Sequence, residues 1–185
     1  MKQLLLIIAI GLAVNTSAQT HQDSILISLT NKQRTALGLK PLQYSAVLDS
    51  AVEFHNRYMV RRGISDHTEY EAQPGESQSY PGARHRVEKF QTGSTDQFSW
   101  NLRLEVCASY GQSDPQNPNF KFFPIPSEDS AIQTLFDSWM YSPAHKWVLM
   151  NPDVTHIAFA VGIKKDPSTS TWIYFGTGVV SKKIN

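Results

Sequence analysis

Cysteine is nearly absent from this sequence, because Cys107 is the only one among 185 residues. No intrachain disulfide can form, so a domain of this length must be stabilised by its hydrophobic core. The sequence also lacks an excess of charge of either sign. Its formal net charge is +1 and it has no basic run, which argues against a nucleic-acid partner. The HExxH, CxxC and GxSxG motifs of common zinc, redox and hydrolase sites are missing as well.

The N-terminal segment has the three parts of a secretory signal peptide. Lys2 supplies a positive charge, Leu4 to Val14 is an apolar run, and Thr16-Ser17-Ala18 is a small-residue cleavage site. The apolar run is too short to span a bilayer comfortably, and nothing later in the sequence suggests a transmembrane segment. We therefore expect residues 1–18 to be removed and residues 19–185 to form one domain, secreted to the periplasm or the extracellular medium.

Helices are predicted where capping residues and glycines bound apolar stripes at three- and four-residue spacing. On the first helix, Asn31 and Arg34 are either bridges to a neighbouring loop or members of an exposed face. On the second, His55 falls on the buried face and is expected to be a hydrogen-bonded core residue. The expected boundaries are Asp23 or Ser24 to Gly38, Ser45 to Gly63, and Ser127 onwards.

A short helix is predicted in the segment Ser142–Met150. Ser142 is a good N-cap and Pro143 suits the first helical position. His145 then lies in the first turn, where the helix dipole disfavours added positive charge and keeps the imidazole neutral. We expect Trp147, Val148, Leu149 and Met150 to be buried behind it.

The remaining segments predict loops and strands. Residues 69–100 show little apolar periodicity and are expected to form a long loop, of the kind that is usually functional or disordered. Residues 111–126 form a second loop, whose Phe120, Phe122 and Phe123 are either a lid tucked into the core or an exposed apolar patch. The apolar runs 157–163 and 172–180 predict a terminal hairpin.

Residues 102–109 alternate between apolar and other side chains, which predicts a strand with Glu105 and Cys107 opposite its apolar face. A buried lone cysteine is a packing residue far more often than a nucleophile. Because helices and strands do not alternate along the chain, the fold class is α+β with a small antiparallel sheet, not a doubly wound sheet.

Several of these residues occur together in one known family. They are Asn31, Arg34, Gly38-Leu39 with Pro41-Leu42, His55, His67, Glu105, and Trp139 followed by Ser142-Pro143-Ala144-His145. The mature chain resembles the CAP superfamily (SCP/TAPS, comprising cysteine-rich secretory, antigen 5 and pathogenesis-related-1 domains) in its compact bacterial form. The resemblance implies a three-layer α-β-α sandwich. It also implies a cleft in which His67, Glu105 and His145 converge and can hold a divalent metal such as zinc.

The sequence departs from the family pattern near this cleft. Ser142 stands where eukaryotic members carry a second cleft glutamate, and Val148 stands where many bacterial members carry asparagine. Imidazole and carboxylate groups are suitable zinc ligands. Their long spacing in the sequence proves nothing by itself, and the alternative is that His67 is a surface-loop residue and His145 a helix-capping residue.

Three functions are compatible with the sequence. The first, which we favour, is a secreted, non-enzymatic binding module whose cleft takes a small molecule, a lipid or a partner protein. The second is a metal-dependent hydrolase in which Glu105 is the general base on a metal-bound water. The third is a cell-surface interaction protein with a vestigial cleft.

Overall fold

The protein is described by a computed structural model that covers residues 20–111, 127–166 and 172–184. The expected signal peptide (residues 1–18) and the three phenylalanines at 120, 122 and 123 lie outside the described residues. In chain order the elements are α1 (His21–Ala36), β1 (Gln43–Tyr44), α2 (Ala46–Arg62), α3 (Ala83–Gln91), a 3-10 turn (Trp100–Leu102), β2 (Leu104–Tyr110), α4 (Glu128–Tyr141), α5 (Pro143–Leu149), β3 (His156–Lys165) and β4 (Trp172–Ser181).

The start of α1 differs from the sequence prediction. Its N-cap is Thr20, not Asp23 or Ser24. The Thr20 hydroxyl accepts from the backbone N–H of Asp23, and the Asp23 carboxylate accepts from the backbone N–H of Thr20. This reciprocal capping box satisfies two free donors at once, so Asp23 acts from the third helical position.

The boundaries of α2 follow the prediction. Ser45 caps its first turn by accepting from the backbone N–H of Leu48, and Gly63 ends the helix with φ +73°. That left-handed conformation is one that a residue with a Cβ adopts only at a cost. The predicted capping by Ser127 at the start of α4 is likewise confirmed.

The sheet has the strand order β1-β3-β4-β2. β3 and β4 form the predicted terminal hairpin, and β2 pairs antiparallel with β4 so that Glu105 lies opposite Val179. The two-residue β1 pairs in parallel with β3. The expected antiparallel sheet is thus confirmed in its three long strands, and β1 is too short to show any alternation in the sequence.

Helices cover both faces of this sheet, which confirms the predicted α-β-α sandwich. Alternate residues of β3 point to opposite faces. Ile157 and Phe159 belong to the core shared with α1, α4 and α5. Ala158 and Ala160 belong to the core shared with α2 and α3.

Aromatic packing on the first face requires a glycine in the neighbouring strand. The rings of Trp139 and Phe159 are stacked, with centroids 5.4 Å apart. A Cβ at Gly178 would lie 2.3 Å from the Phe159 ring, so any side chain at that position would displace the ring. The tryptophan of the Trp-x-x-Ser-Pro-x-His run is therefore a core residue.

The expectation of a loop across residues 69–100 is wrong in part, because α3 lies within it. This helix buries Arg86 and Gln91 together with Ala83 and Val87. Half of its buried face is polar, so the apolar periodicity that normally reveals a helix is broken.

Arg34 joins α1 to the end of α5. Its guanidinium is fully buried and donates to the carbonyls of Lys40, Leu149 and Asn151 at 2.8–2.9 Å. Asn31 exchanges two hydrogen bonds with the backbone of Leu42. Both residues are therefore bridges to neighbouring segments, as one of the two sequence interpretations proposed.

Arg34→Met is expected to lower the free energy of unfolding by about 3 kcal/mol or more, because it leaves three carbonyls without their donor. Urea denaturation of the metal-free protein measures this. The matched control is Lys32→Met, which removes an exposed cation from the same helix and should change stability by about 0.5 kcal/mol or less. Equal effects of the two substitutions would contradict the assigned role of Arg34.

Candidate functional site

The candidate site lies at the β2 edge of the described sheet, where the two helical layers come within reach of each other. His67 follows α2, which belongs to one layer, and His145 lies on α5, which belongs to the other. Their ring centroids are 6.0 Å apart with the planes tilted by 46°. The structure therefore brings together two histidines from distant parts of the sequence.

Glu105 of β2 is bonded directly to His67. One carboxylate oxygen, Oε2, is 3.0 Å from His67 Nδ1. Since an ionised carboxylate can only accept, Nδ1 carries the proton of this hydrogen bond. Within the described residues, His67 Nε2 has no hydrogen-bond partner, and 52% of the side chain is exposed, against 5% for Glu105.

The second oxygen of Glu105 is held by Arg86 from α3. This guanidinium is fully buried and donates to Glu105 Oε1 and to the carbonyls of His67 and Tyr80. Burial alone would raise the pKa of Glu105, but the charge of Arg86 and the hydrogen bond from His67 outweigh it and lower the pKa to about 2. Glu105 is thus ionised at any physiological pH, with both oxygens in use.

The two histidines differ in their affinity for a proton. The hydrogen bond to Glu105 raises the pKa of His67, although burial partly opposes this. Burial lowers the pKa of His145, and repulsion from His67 lowers it further. The neutral imidazole expected at position 145 is thus supported, but its causes are burial and the neighbouring histidine, where the sequence prediction invoked the helix dipole.

Two further buried side chains, His55 and Glu69, lie next to Arg86. His55 places Nδ1 3.0 Å from Glu69 Oε1 and Nε2 2.7 Å from the carbonyl oxygen of Asp66. His55 and Glu69 are both inaccessible to solvent, and Arg86 NH1 lies 3.8 Å from the same Glu69 oxygen. The expected role of His55 as a hydrogen-bonded core residue is confirmed, and this core orients the loop that carries His67.

The donor atoms of this cleft differ in their availability to a metal ion. Glu105 has no free oxygen, so it would act as the partner that orients His67, while Nε2 of His67 and the ring of His145 would be the protein ligands. A neutral His145 suits that role, and zinc accepts imidazole nitrogen. The residues present therefore offer an ion two imidazole ligands, one of them oriented by Glu105, and leave its other coordination positions to water or a bound ligand.

Among the described residues, the set of three side chains with ligand atoms within 4.8 Å of one another is His55, Glu105 and Cys107, and not the predicted His67, Glu105 and His145. Both ring nitrogens of His55 are already bonded, and Arg86 places a positive charge against Glu105. Burial raises the pKa of the Cys107 thiol well above its usual value, which keeps it protonated. This trio does not suit a cation, and Cys107 is a buried packing residue as expected.

Most of this chain is similar to one known protein family. Residues 27–177 match the family described as "CAP: Cysteine-rich secretory protein family". The chain belongs to the CAP family. The resemblance seen in the sequence is thereby confirmed over residues 27–177.

Solved structures share the fold of this CAP chain. An outer surface protein from Borrelia burgdorferi superposes with a TM-score of 0.55 at 18% identity, covering 86% of this chain and 91% of that one. An extracellular protein containing a SCP domain from Bacillus anthracis gives a TM-score of 0.56 at 15% identity, covering 88% of this chain and 40% of that one. A search among curated protein sequences gave no significant match.

The helix α5, which carries Pro143 and His145, differs from the sequence prediction in its capping and in which side chains it buries. Ser142 and Pro143 occupy the predicted N-cap and first positions, but the Ser142 hydroxyl makes no capping bond. Of the four residues expected to be buried, only Leu149 is, and Trp147 is 60% exposed. At 100° per residue His145 and Leu149 share one face of the helix, and Trp147, midway between them, points to the opposite side.

Sequence reasoning missed Arg86 and Glu69. Both lie in the segment expected to be a loop, and Arg86 stands in the run Arg84-His85-Arg86, which is typical of a solvated surface. The available signal was its spacing, because Ala83, Arg86 and Val87 are three and four residues apart and share one helix face.

Glu105→Gln is expected to lower the free energy of unfolding of the metal-free protein by about 3 kcal/mol near neutral pH. The magnitude follows from a pKa lowered from 4.5 to about 2 at about 1.4 kcal/mol per pH unit. A lowered pKa contributes stability that is complete above about pH 4.5 and is lost as the pH falls towards 2.

His67 adds to the difference between wild type and Glu105→Gln at mildly acidic pH. Its raised pKa contributes stability below about pH 6.5 that is lost as the pH rises through the folded-state value. The largest gap is therefore expected between about pH 4.5 and 6.5. The matched control is Glu71→Gln, at a half-exposed ion pair, with an expected effect of about 1 kcal/mol or less. A constant gap across the pH range would contradict this account.

Proposed function

We propose that this CAP-domain protein is an exported binding module whose His67–His145 cleft holds a divalent metal such as zinc and binds its ligand without turnover. The observation that carries the proposal is the state of Glu105. Its two oxygens are taken by Arg86 and His67, which fixes the orientation of the His67 ring and leaves Nε2 as a possible ligand atom.

The same observation argues against the hydrolase. A general base needs a pKa near the working pH. The pKa of Glu105 is about 2 and its side chain is nearly inaccessible. Glu105 is therefore better suited to positioning a histidine than to removing a proton from water.

Export is supported by the N-terminal pattern of charge, apolar run and small-residue cleavage site. The structural relatives are described as an outer surface protein and an extracellular protein. Among the helices that the structure describes, none is long and apolar enough to cross a membrane.

A surface interaction protein is the second candidate. Tyr141 at the end of α4 is 92% exposed, and Trp147 on α5 is 60% exposed. Large exposed aromatic side chains are enriched at protein interfaces, so these two side chains favour contact with a partner protein.

Zinc binding is tested by calorimetry at neutral pH. Wild type is expected to bind zinc, with affinity that rises with pH because the metal competes with a proton for Nε2 of His67, whose pKa is raised by Glu105. His67→Ala and His145→Ala are each expected to weaken binding at least tenfold.

The matched control for the zinc titration is His21→Ala, which removes an exposed histidine on α1. Circular dichroism confirms that each variant is folded. Equal affinity in all four proteins would refute the proposed site. Turnover of a peptide or ester that disappears in Glu105→Gln would instead establish the hydrolase.

Export is tested by expression of the full chain in a Gram-negative host. The recovered protein is expected to begin at Gln19, since cleavage follows small residues at 16–18. Ile8→Arg should block processing, because it places a charge within the apolar run. Intact mass spectrometry measures both, with Lys32→Arg as a control in the mature region. Retention of the wild-type chain in the host cytoplasm, with its N-terminal segment uncleaved, would contradict export.

A further inference from the structure

The outer edge of β3 is open over most of its length. The two residues of β1 pair only with His156 and Ile157, because the chain turns at Ser45 into α2. β3 itself continues to Lys165. Among the described residues, no strand pairs with this side of β3 beyond Ile157. The open edge lies at the opposite end of the sheet from β2 and the histidine cleft.

Main-chain hydrogen-bonding groups face outward along this open edge. The carbonyl of Ile157 accepts from the backbone N–H of Ser45 at 3.3 Å, so Ile157 faces outward. The carbonyl of Ala160 faces β4 instead, since one nitrogen of Asn56 donates both to it and to a carbonyl of β4. Backbone groups alternate in direction along a strand, so residues 159, 161 and 163 also face outward. Their N–H and C=O groups have no hydrogen-bond partner among the described residues.

A cavity of about 540 Å³ runs along the open edge. Residues 160–163 of β3 form its floor, Thr20 and Asp23 at the start of α1 form one wall, and α2 from Glu53 to Arg61 forms the other. This recess admits a single extended chain. A second copy of the protein would bring its own α1 and α2 against these walls, so the shape favours a peptide segment over a sheet-to-sheet dimer.

The sequence of the open edge does not protect it against pairing. Residues 158–163 read Ala-Phe-Ala-Val-Gly-Ile, without a charge or a proline, and the first charged residue is Lys164. Proteins commonly protect an exposed strand edge with proline, charged side chains or a bulge. Here only the helical walls limit access, which suits the addition of one strand from a partner.

The charges of the cavity walls favour a basic side chain in that strand. Thr20 is the hydrogen-bond partner of Asp23, and no cation of the described chain pairs with this carboxylate. Burial raises the pKa of Asp23, hydrogen bonds from Thr20 oppose this, and the carboxylate of Glu53 raises it further. The two carboxylates therefore repel each other across the cavity, and a cation between them would relieve the repulsion.

We propose that the open edge of β3 binds an extended peptide segment that carries a basic side chain and pairs as an added strand. The peptide backbone bonds to the outward groups of residues 159, 161 and 163, over a length of about 17 Å for five residues. The side chain of Val161 packs towards the core shared with α1, so the peptide residue opposite Val161 faces Asp23. This site is separate from the His67–His145 cleft and goes beyond the proposed function.

The test uses the whole mature protein and the probe acetyl-Thr-Val-Lys-Val-Thr-amide, whose residues include strong strand formers. NMR titration is expected to show saturable binding at millimolar concentration, with shifts in the backbone signals of β3. Exchange of the amide hydrogens of Val161 and Ile163 should slow about fivefold when four-fifths of the protein is bound. The amide of Ala160, which faces β4, should change little.

Val161→Pro removes one outward N–H without removing a bond between β3 and β4, and it is expected to weaken binding at least tenfold. The matched control Val161→Thr keeps that N–H and should bind within about twofold of wild type.

Two modified probes give the same test on the unaltered protein. They carry N-methyl groups on alternate backbone nitrogens, in opposite phase. Only one phase faces β3, so one probe is expected to bind at least tenfold more weakly than the other. Equal affinity of the two would overturn the proposal.

The role of charge is tested by replacing the lysine of the probe. A glutamate probe is expected to bind at least tenfold more weakly than the lysine probe. Glu53→Gln should weaken binding of the lysine probe about threefold and leave an all-neutral threonine probe unaffected. The matched control is Asp137→Asn, which removes an exposed carboxylate on α4, outside the cavity. Equal affinity for the lysine and glutamate probes would overturn the basic specificity.

Three further outcomes would overturn the proposal. One is the absence of binding by the lysine probe at millimolar concentration. Another is a set of shifts confined to Glu105 and His145, which would place the peptide in the histidine cleft. The third is a dimer of the free protein, measured by analytical ultracentrifugation, that Val161→Pro dissociates, since the edge would then bind a second copy.

Discussion

The buried guanidinium of Arg86 is the group on which the candidate site depends. It lies between Glu105 on β2 and Glu69 in the loop after α2, and it also holds the carbonyl of His67. Removing one partner of a buried charge pair is costly, because the remaining charge has no compensation. This single side chain therefore joins α3, the sheet edge and the histidine loop, and it also determines the protonation of Glu105.

The position of β2 explains why the site forms where it does. Central strands are covered on both faces by helices, and residues of the two helical layers cannot meet across them. At the β2 edge α5 and the loop after α2 approach each other, so His145 and His67 come into contact. Arg34 supports this approach by fixing the end of α5, where it donates to the carbonyls of Leu149 and Asn151.

The sequence predicted the helices and strands whose buried side chains are apolar and regularly spaced. Three kinds of element show a single periodicity each and are confirmed. They are the helices with apolar stripes, the alternating strand that carries Glu105, and the terminal hairpin. The helix α3 escaped prediction because its buried face holds Arg86 and Gln91, whose burial depends on partners far away in the sequence. For the same reason the roles of Arg86 and Glu69 could not be found, since long-range ion pairs leave no local pattern. The exposure of Trp147 followed from helix geometry and was available from the sequence.

The two histidines come from different layers of a chain that cannot form an internal disulfide. Any ion or ligand that contacts both would cross-link the layers and close a long loop of the chain. Because an ion or ligand that needs both layers binds the folded chain and not the unfolded one, it stabilises the domain by an amount that rises with its concentration relative to its Kd. Occupancy of the cleft would therefore stabilise the domain against unfolding and proteolysis. Loss of the bound ion or ligand would remove that stabilisation.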